Sequence, residues 1–178
     1  MRVIAGSAKG RQLACLKGEH TRPTTDRVKE NLFNILSPYV AGAQVLDLFA
    51  GTGALGIEAL SRGAAHCMFV EKDAAAARIV QKNLAAARVE ERSTLRRADA
   101  LQVLREGGQY DLILLDPPYP LGLIPKVLEE ISRGGLLHTG GIIAAENEAP
   151  LPETVGNLQR TDERRYGRIW LSFYKITD

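Results

Sequence analysis

The chain has 178 residues, 45% of them hydrophobic and 25% charged, with a formal net charge of +2. These values are ordinary for a soluble globular protein with a full core, and no stretch approaches the ~20 apolar residues of a membrane span. Two cysteines, Cys15 and Cys67, and three scattered histidines, His20, His66 and His138, exclude a disulfide scaffold and show no metal-ligand spacing. Residues 1–6 lack the apolar segment of a secretory leader, so a reducing, cytoplasmic setting is expected.

At the amino end, residues 2–5 and 11–14 are short apolar runs around Gly6-Ser7-Ala8-Lys9-Gly10, a hairpin signal. That loop is too polar to be buried and is expected to be an arm reaching a large partner. Thr25, Lys29 and Glu30 before Leu32, Phe33, Ile35 and Leu36 predict a capped amphipathic helix from about 25 to 37, stopped by Ser37-Pro38. Arg22, Pro23 and Thr24 at its mouth either hold an anion on the helix N-terminus or only shape the turn. Residues 1–30 carry seven basic side chains against three acidic ones, and Arg160, Arg164, Arg165 and Arg168 cluster near the other end. Brought together by the fold, these would form a phosphate-binding rim; separately, each is a solvated surface charge.

From residue 44 the pattern is strict strand–helix alternation. Strands are predicted over 44–48, 66–70, 94–97, 110–115 and 141–146, with helices over 53–62, 73–88, 100–106 and 124–131 between them. Such alternation builds a parallel sheet with helices on both faces. The tail departs from it: 157–161 and 169–174 alternate like strands, with residues 164–167 between them and no helix. An antiparallel hairpin closing one sheet edge follows. No internal repeat, low-complexity segment or second domain is visible, so residues 1–178 read as a single domain: an extension over 1–40 and a core over 41–178.

Within that core, Asp47-Leu48-Phe49-Ala50-Gly51-Thr52-Gly53-Ala54-Leu55-Gly56 runs from a strand through a Gly-rich turn into a helix. Its glycines match G-x-G-x-x-G, and Glu71 stands 20 residues beyond Gly51 at the end of the next strand, the pattern of an adenosine-bearing cofactor. Glu71 would accept the ribose hydroxyls. Asp47 at the mouth of the turn would repel a pyrophosphate and attract an ammonium, which favours S-adenosylmethionine over NAD. Asp99 after the third strand would accept from the adenine amino group. Acidic residues therefore follow four strands in series: Asp47, Glu71, Asp99 and Asp116.

The fourth of these opens Asp116-Pro117-Pro118-Tyr119, directly after the apolar strand 110–115. Two prolines end the ladder and hold the backbone extended, at the strand end where open α/β sheets bind ligands. A carboxylate, free carbonyls and an aromatic face suit one task, gripping a planar group with an exocyclic amine; otherwise the segment is a turn, with Asp116 a cap and Tyr119 surface packing. Neither cysteine is a credible nucleophile, because Cys67 lies inside a strand and Cys15 at the end of the hairpin.

These motifs carry a family resemblance. Asp47 to Gly53 resembles the first motif of class I S-adenosylmethionine-dependent methyltransferases, and residues 116–119 the Asp/Asn-Pro-Pro-Tyr motif of those that methylate planar amines. Residues 2–6 and 9–11, Thr21-Arg22-Pro23-Thr24 through Asn34, residues 51–63 and the Tyr166-Gly167…Leu171-Ser172-Phe173-Tyr174 ending together resemble the small-subunit ribosomal RNA guanine-N2 methyltransferase family. Gly-Thr-Gly replaces the Gly-Ser-Gly frequent in that family. The resemblance implies a Rossmann-like, seven-stranded, mostly parallel sheet with an antiparallel C-terminal hairpin, behind a short N-terminal β-hairpin and helix. It implies S-adenosyl-L-methionine as cofactor, held by Asp47, Phe49, Ala50, Gly51, Gly53, Glu71, Lys72, Asp99, Ala100 and Asp116. Asp116, Pro117 and Tyr119 would carry catalysis without a metal. The substrate would be one guanine of 16S rRNA, within a 30S subunit or an assembly intermediate, its phosphates held by Lys9, Arg11, Arg22, Thr24, Arg164, Arg165 and Arg168. A monomer is expected. DNA adenine or a protein glutamine amide is the alternative acceptor, since the Pro-Pro motif serves those too.

Overall fold

Residues 1–17, 23–118 and 122–177 are described by the computed structural model, with backbone alone for 23–25. Five parallel strands form one side of the sheet, with β3 at its edge: β1 (Gln44–Asp47), β2 (His66–Val70), β3 (Ser93–Arg96), β4 (Tyr110–Leu115) and β5 (Leu137–Asn147). Three antiparallel strands extend it: β6 (Thr154–Val155), β7 (Leu158–Tyr166) and β8 (Ile169–Ile176), in the order β3-β2-β1-β4-β5-β8-β7-β6. The helices α1 (Pro23–Val40), α2 (Ala54–Ser61) and α3 (Ala74–Ala87) cover one face, and α4 (Ala100–Glu106) and α5 (Leu123–Gly134) the other. Because both faces are covered, consecutive residues of one strand enter different cores. Leu112 and Leu114 pack with Leu32 and Leu36, whereas Ile113 and Leu115 pack with Val127 and Ile131. This is why β1, β2 and β4 carry consecutive apolar residues in place of alternation.

The fold class is as expected from sequence, and the structure alters four details. An eighth strand, the two-residue β6, lies outside β7. The first helix does not stop at Pro38 but runs on to Val40. A proline in the last turn removes only one hydrogen bond, and burial of Leu36 and Val40 holds the turn in place. β7 continues to Tyr166, so Arg164 and Arg165 are strand residues and the connection is a tight turn at Gly167-Arg168.

The fourth difference is the amino-terminal hairpin, which is reduced to a bridge between Arg2 and Gln12, with a loop that is not a free arm. Ser7 N–H donates to the Ser61 carbonyl at 2.8 Å and Ala8 N–H to Ser61 Oγ at 2.9 Å, burying Ala8 against the end of α2. A Cβ on Gly6 would lie 1.9 Å from the Ser61 carbonyl oxygen, so only glycine passes there. The polar loop is buried in part because α2 ends in acceptors that need donors.

The same segment is held from above by a buried ionic cluster. Glu58 is fully buried, and its carboxylate accepts from Ile4 N–H at 2.9 Å, Ala5 N–H at 3.1 Å and Arg62 Nε at 2.9 Å. Lys29, on α1, brings its ammonium to 3.4 Å from Glu58 and donates to the Arg2 carbonyl at 2.6 Å. Burial lowers the Lys29 pKa, and Glu58 opposes that shift.

Gly56 sets how closely α2 approaches the sheet. A Cβ there would fall 2.3 Å from the Phe69 ring and 2.8 Å from Cys67 Sγ, both on β2 and both fully buried. Gly56→Ala is therefore expected to destabilise the fold by about 1–3 kcal/mol through overpacking. Urea unfolding measures this, and an unchanged midpoint would show that the helix can shift without cost.

Candidate active site

Each parallel strand delivers its last residues to one edge of the sheet, and the connections after β1, β2, β3 and β4 enclose a cavity of about 690 Å³ there. Asp47, Phe49, Ala50 and Gly51 line it from the first connection, Glu71 and Lys72 from the second, Asp99 and Ala100 from the third, and Asp116 and Pro117 from the fourth. Of the ten residues expected to hold a cofactor, only Gly53 stays out of the lining. It precedes α2 in a left-handed conformation, φ +84°, and packs inward against Val80, Ile57 and Phe69. Gly51 is left-handed too, φ +59°, but a Cβ there would meet nothing within 4 Å. Its backbone faces open space, as a turn approached by a ligand requires.

The acidic residues differ in what they already hold. Asp47 is not a free carboxylate at the mouth: it is 1% exposed, and its Oδ2 accepts from Gly56 N–H at 3.0 Å. Burial pushes its pKa up to about 7, against the stabilising Gly56 hydrogen bond and with repulsion from Asp116 and Glu71. Glu71 ties the turn together, Oε1 accepting from Gly51 N–H and Oε2 from Asp73 N–H, each at 2.8 Å. A carboxylate has about four acceptor positions, so both oxygens keep capacity for hydroxyls. Asp99 caps α4, its Oδ1 accepting from Leu101 and Gln102 N–H. Asp116 is half-buried, takes no hydrogen bond from the described residues, and has its pKa raised by burial.

This donor set fits S-adenosylmethionine. Carboxylates that outnumber the lysines in a cavity wall favour a cationic guest, and the apolar part of the wall suits an adenine ring.

Asp47 also sets a pH dependence. Its folded pKa of about 7 exceeds the ordinary aspartate value of 3.8, so between those values the folded state holds a proton that the unfolded chain releases. Stability from this group is present at low pH and is lost as pH rises from about 4 to 7, by up to about 4 kcal/mol. Asp47→Asn keeps an acceptor for Gly56 N–H but cannot ionise. Its stability relative to wild type is expected to climb between pH 4 and about pH 7 and then level off in urea titrations; a flat difference would mean that Asp47 titrates normally.

The basic residues are not gathered as the sequence suggested. Lys9 and Arg11 are exposed, follow a loop bonded to the carboxyl end of α2, and do not line the cavity. Arg160 is consumed by Glu163 at 3.2 Å and the Leu151 carbonyl at 2.6 Å. The β7–β8 turn lies beside the end of β5 and Ile169 lines the cavity, which brings Arg165 and Arg168 near it, but none of Arg164, Arg165 and Arg168 lines the wall. Arg164 is paired with Asp162 at 3.1 Å, and Arg165 stacks on Trp170 with 5.2 Å to the ring centre. Arg168 is exposed. Tyr119, Arg22 and the side chain of Thr24 lie outside the described residues.

Three charged lining residues were not expected at the site: Lys29 and Asp73 stood only in helix patterns, and Glu146, near the end of β5, only in a strand. The signal for Glu146 was its position, a fifth acidic residue at a parallel strand end.

Residues 1–175 match the family model described as "Conserved hypothetical protein 95". The chain belongs to that family. It is 44% identical over 181 residues to the Bacillus subtilis protein named "Putative rRNA methyltransferase YlbH", spanning 98% of each chain. To Ribosomal RNA small subunit methyltransferase D of Escherichia coli K12 it is 34% identical over 177 residues, 98% of this chain and 89% of that one. The solved structure "Putative methyltransferase yhhF from Escherichia coli" shares 33% identity at a TM-score of 0.89, covering 99% of this chain and 97% of that one. These matches bear out the family resemblance, the fold and the enzyme class: this family member is a methyltransferase. Among the described residues, no helix is long and apolar enough to cross a membrane.

Proposed function

We propose that this methyltransferase transfers the methyl group of S-adenosylmethionine to the exocyclic N2 of a guanine in 16S rRNA. The observation that carries the reading is one cavity lined by both the Gly51 turn and the Asp116-Pro117 loop, in a chain whose relatives are named rRNA methyltransferases. The cofactor would be held by the Gly51 turn, Glu71, Lys72 and Asp99. When bound, it supplies an electrophilic methyl carbon on a sulfonium.

A guanine N2 lone pair is delocalised into the ring, so the amine is a poor nucleophile. Asp116 Oδ and the Pro117 carbonyl oxygen accept its two N–H bonds, draw the nitrogen toward tetrahedral geometry and localise the lone pair. Catalysis is then positioning and electrostatics, and the departing proton passes to Asp116 or water. The base must be unpaired or flipped to reach this loop, with Tyr119 as its stacking partner. Arg165 and Arg168, near the cavity, hold nearby phosphates, and Lys9, Arg11 and Arg22 are the further candidates for phosphate contacts. The protein acts in the cytoplasm as a monomeric single domain, without a metal, on rRNA within a 30S particle or an assembly intermediate.

Labelled S-adenosylmethionine, offered with unmodified 16S rRNA both naked and as 30S particles, tests this. N2-methylguanosine at one site is the expected product on nucleoside analysis. Label in N6-methyladenosine, in protein or nowhere would overturn the substrate.

A further inference from the structure

Glu146 has no structural work that the described residues reveal. It is the penultimate residue of β5, half-buried in the cavity wall, and no donor among the described residues reaches its carboxylate. A carboxylate kept there without a partner is costly, and an apolar residue would complete the wall at less expense. Its position is specific. β4 and β5 are parallel, with Leu114 opposite Ala144 and Leu115 opposite Ala145, so one residue further Asp116 and Glu146 stand side by side. Their side chains follow the face of Leu114 and Ala144, the face that α1 covers. Neighbouring strands are ~4.8 Å apart, so the two carboxyl groups can meet adjacent positions on one edge of a planar base.

We infer that Glu146 is a specificity-determining residue that reads the N1–H and O6 edge of the acceptor guanine while Asp116 holds N2. This rests on the guanine-N2 reading above. Guanine presents three groups in a row: the N2 amine, the N1–H donor and the O6 acceptor. Asp116, ionised, is acceptor-only and suits N2. Glu146 accepts from N1–H through one oxygen, and in its protonated form donates from the other to O6. Burial and the neighbouring Asp116 charge both raise the Glu146 pKa, so the site itself favours the form able to do both.

The test is a substrate–enzyme cycle on 30S particles. Splinted ligation replaces the acceptor guanosine by 2-aminopurine riboside, which keeps the 2-amine but lacks N1–H and O6. Wild-type enzyme is expected to prefer guanine by about 5- to 150-fold in kcat/KM, the worth of a bidentate base contact. Glu146→Ala is expected to lose most of that preference by slowing the guanine reaction, and Glu146→Gln, whose amide presents the same acceptor and donor, to keep it. An equal loss on both substrates, or a wild-type enzyme indifferent to the replacement, would overturn the inference. S-adenosylmethionine affinity, measured in parallel, reports that each variant is folded. If wild-type enzyme fails to methylate even the guanine-containing particles, the proposed function has failed, which is a different result.

Discussion

Asp116→Ala is expected to lower methyl transfer by about 100- to 1,000-fold, the usual cost of deleting a group that meets the reacting centre. Affinity for S-adenosylmethionine should change far less, because the Gly51 turn, Glu71 and Asp99 remain. The fold should tolerate the change well. Asp116 is an acid whose pKa is raised by burial and which repels both Asp47 and Glu146, so its removal relieves strain among like charges. Asp116→Asn keeps an oxygen to accept one N2–H bond and should fall between wild type and Ala. Single-turnover assays beside equilibrium cofactor binding separate the two effects. If Asp116→Ala turns over at the wild-type rate, the loop does not grip the amine. If cofactor binding is lost in proportion to activity, Asp116 serves the cofactor instead.

The second large effect is on stability. Glu58→Ala is expected to destabilise the protein by about 3–5 kcal/mol, because it leaves a buried ammonium without its counterion. Lys29 stays 4% exposed beside the vacated space, while the Ile4 and Ala5 N–H groups lose their acceptors. The amino-terminal segment should then come away from α2 before the sheet opens. Limited proteolysis should cut within residues 1–17 under conditions that spare wild type, and urea unfolding should give the loss of stability. Because Met1 and Lys29 also line the cavity, a loosened segment would weaken cofactor binding as well. A variant with wild-type urea midpoint and protease resistance would show that water can replace the carboxylate.

How much of this was legible in the sequence follows from which interactions are local. The alternation from residue 44 onward is a local property: apolar runs of strand length separated by turn residues and amphipathic stretches. β2, α4 and β4 accordingly begin and end where the pattern predicts. The Gly51 turn and the Asp116-Pro117-Pro118 stop are local too, since backbone conformations available to glycine and proline need no distant partner. Their meeting in one cavity followed from topology alone, because parallel strands all end on the same edge.

What the sequence could not carry were interactions between residues far apart in the chain. Asp47 looked like a free acid at the mouth of a turn, yet nine residues on, Gly56 N–H binds its carboxylate, and the folded sheet takes it out of water. Lys9 looked like the tip of an arm until Ser61, more than fifty residues away, offered acceptors to Ser7 and Ala8. Pro38 stayed helical because buried neighbours outweighed one missing hydrogen bond. Glu146 became notable only beside Asp116, across a strand pair whose register no local pattern records. The sequence by itself therefore determined the elements, their order and the two motifs, because propensity and hydrophobic period act over a few residues. Tertiary structure alone decided which carboxylates are buried, which are paired and which face the cavity, because desolvation and Coulomb energies depend on neighbours in space.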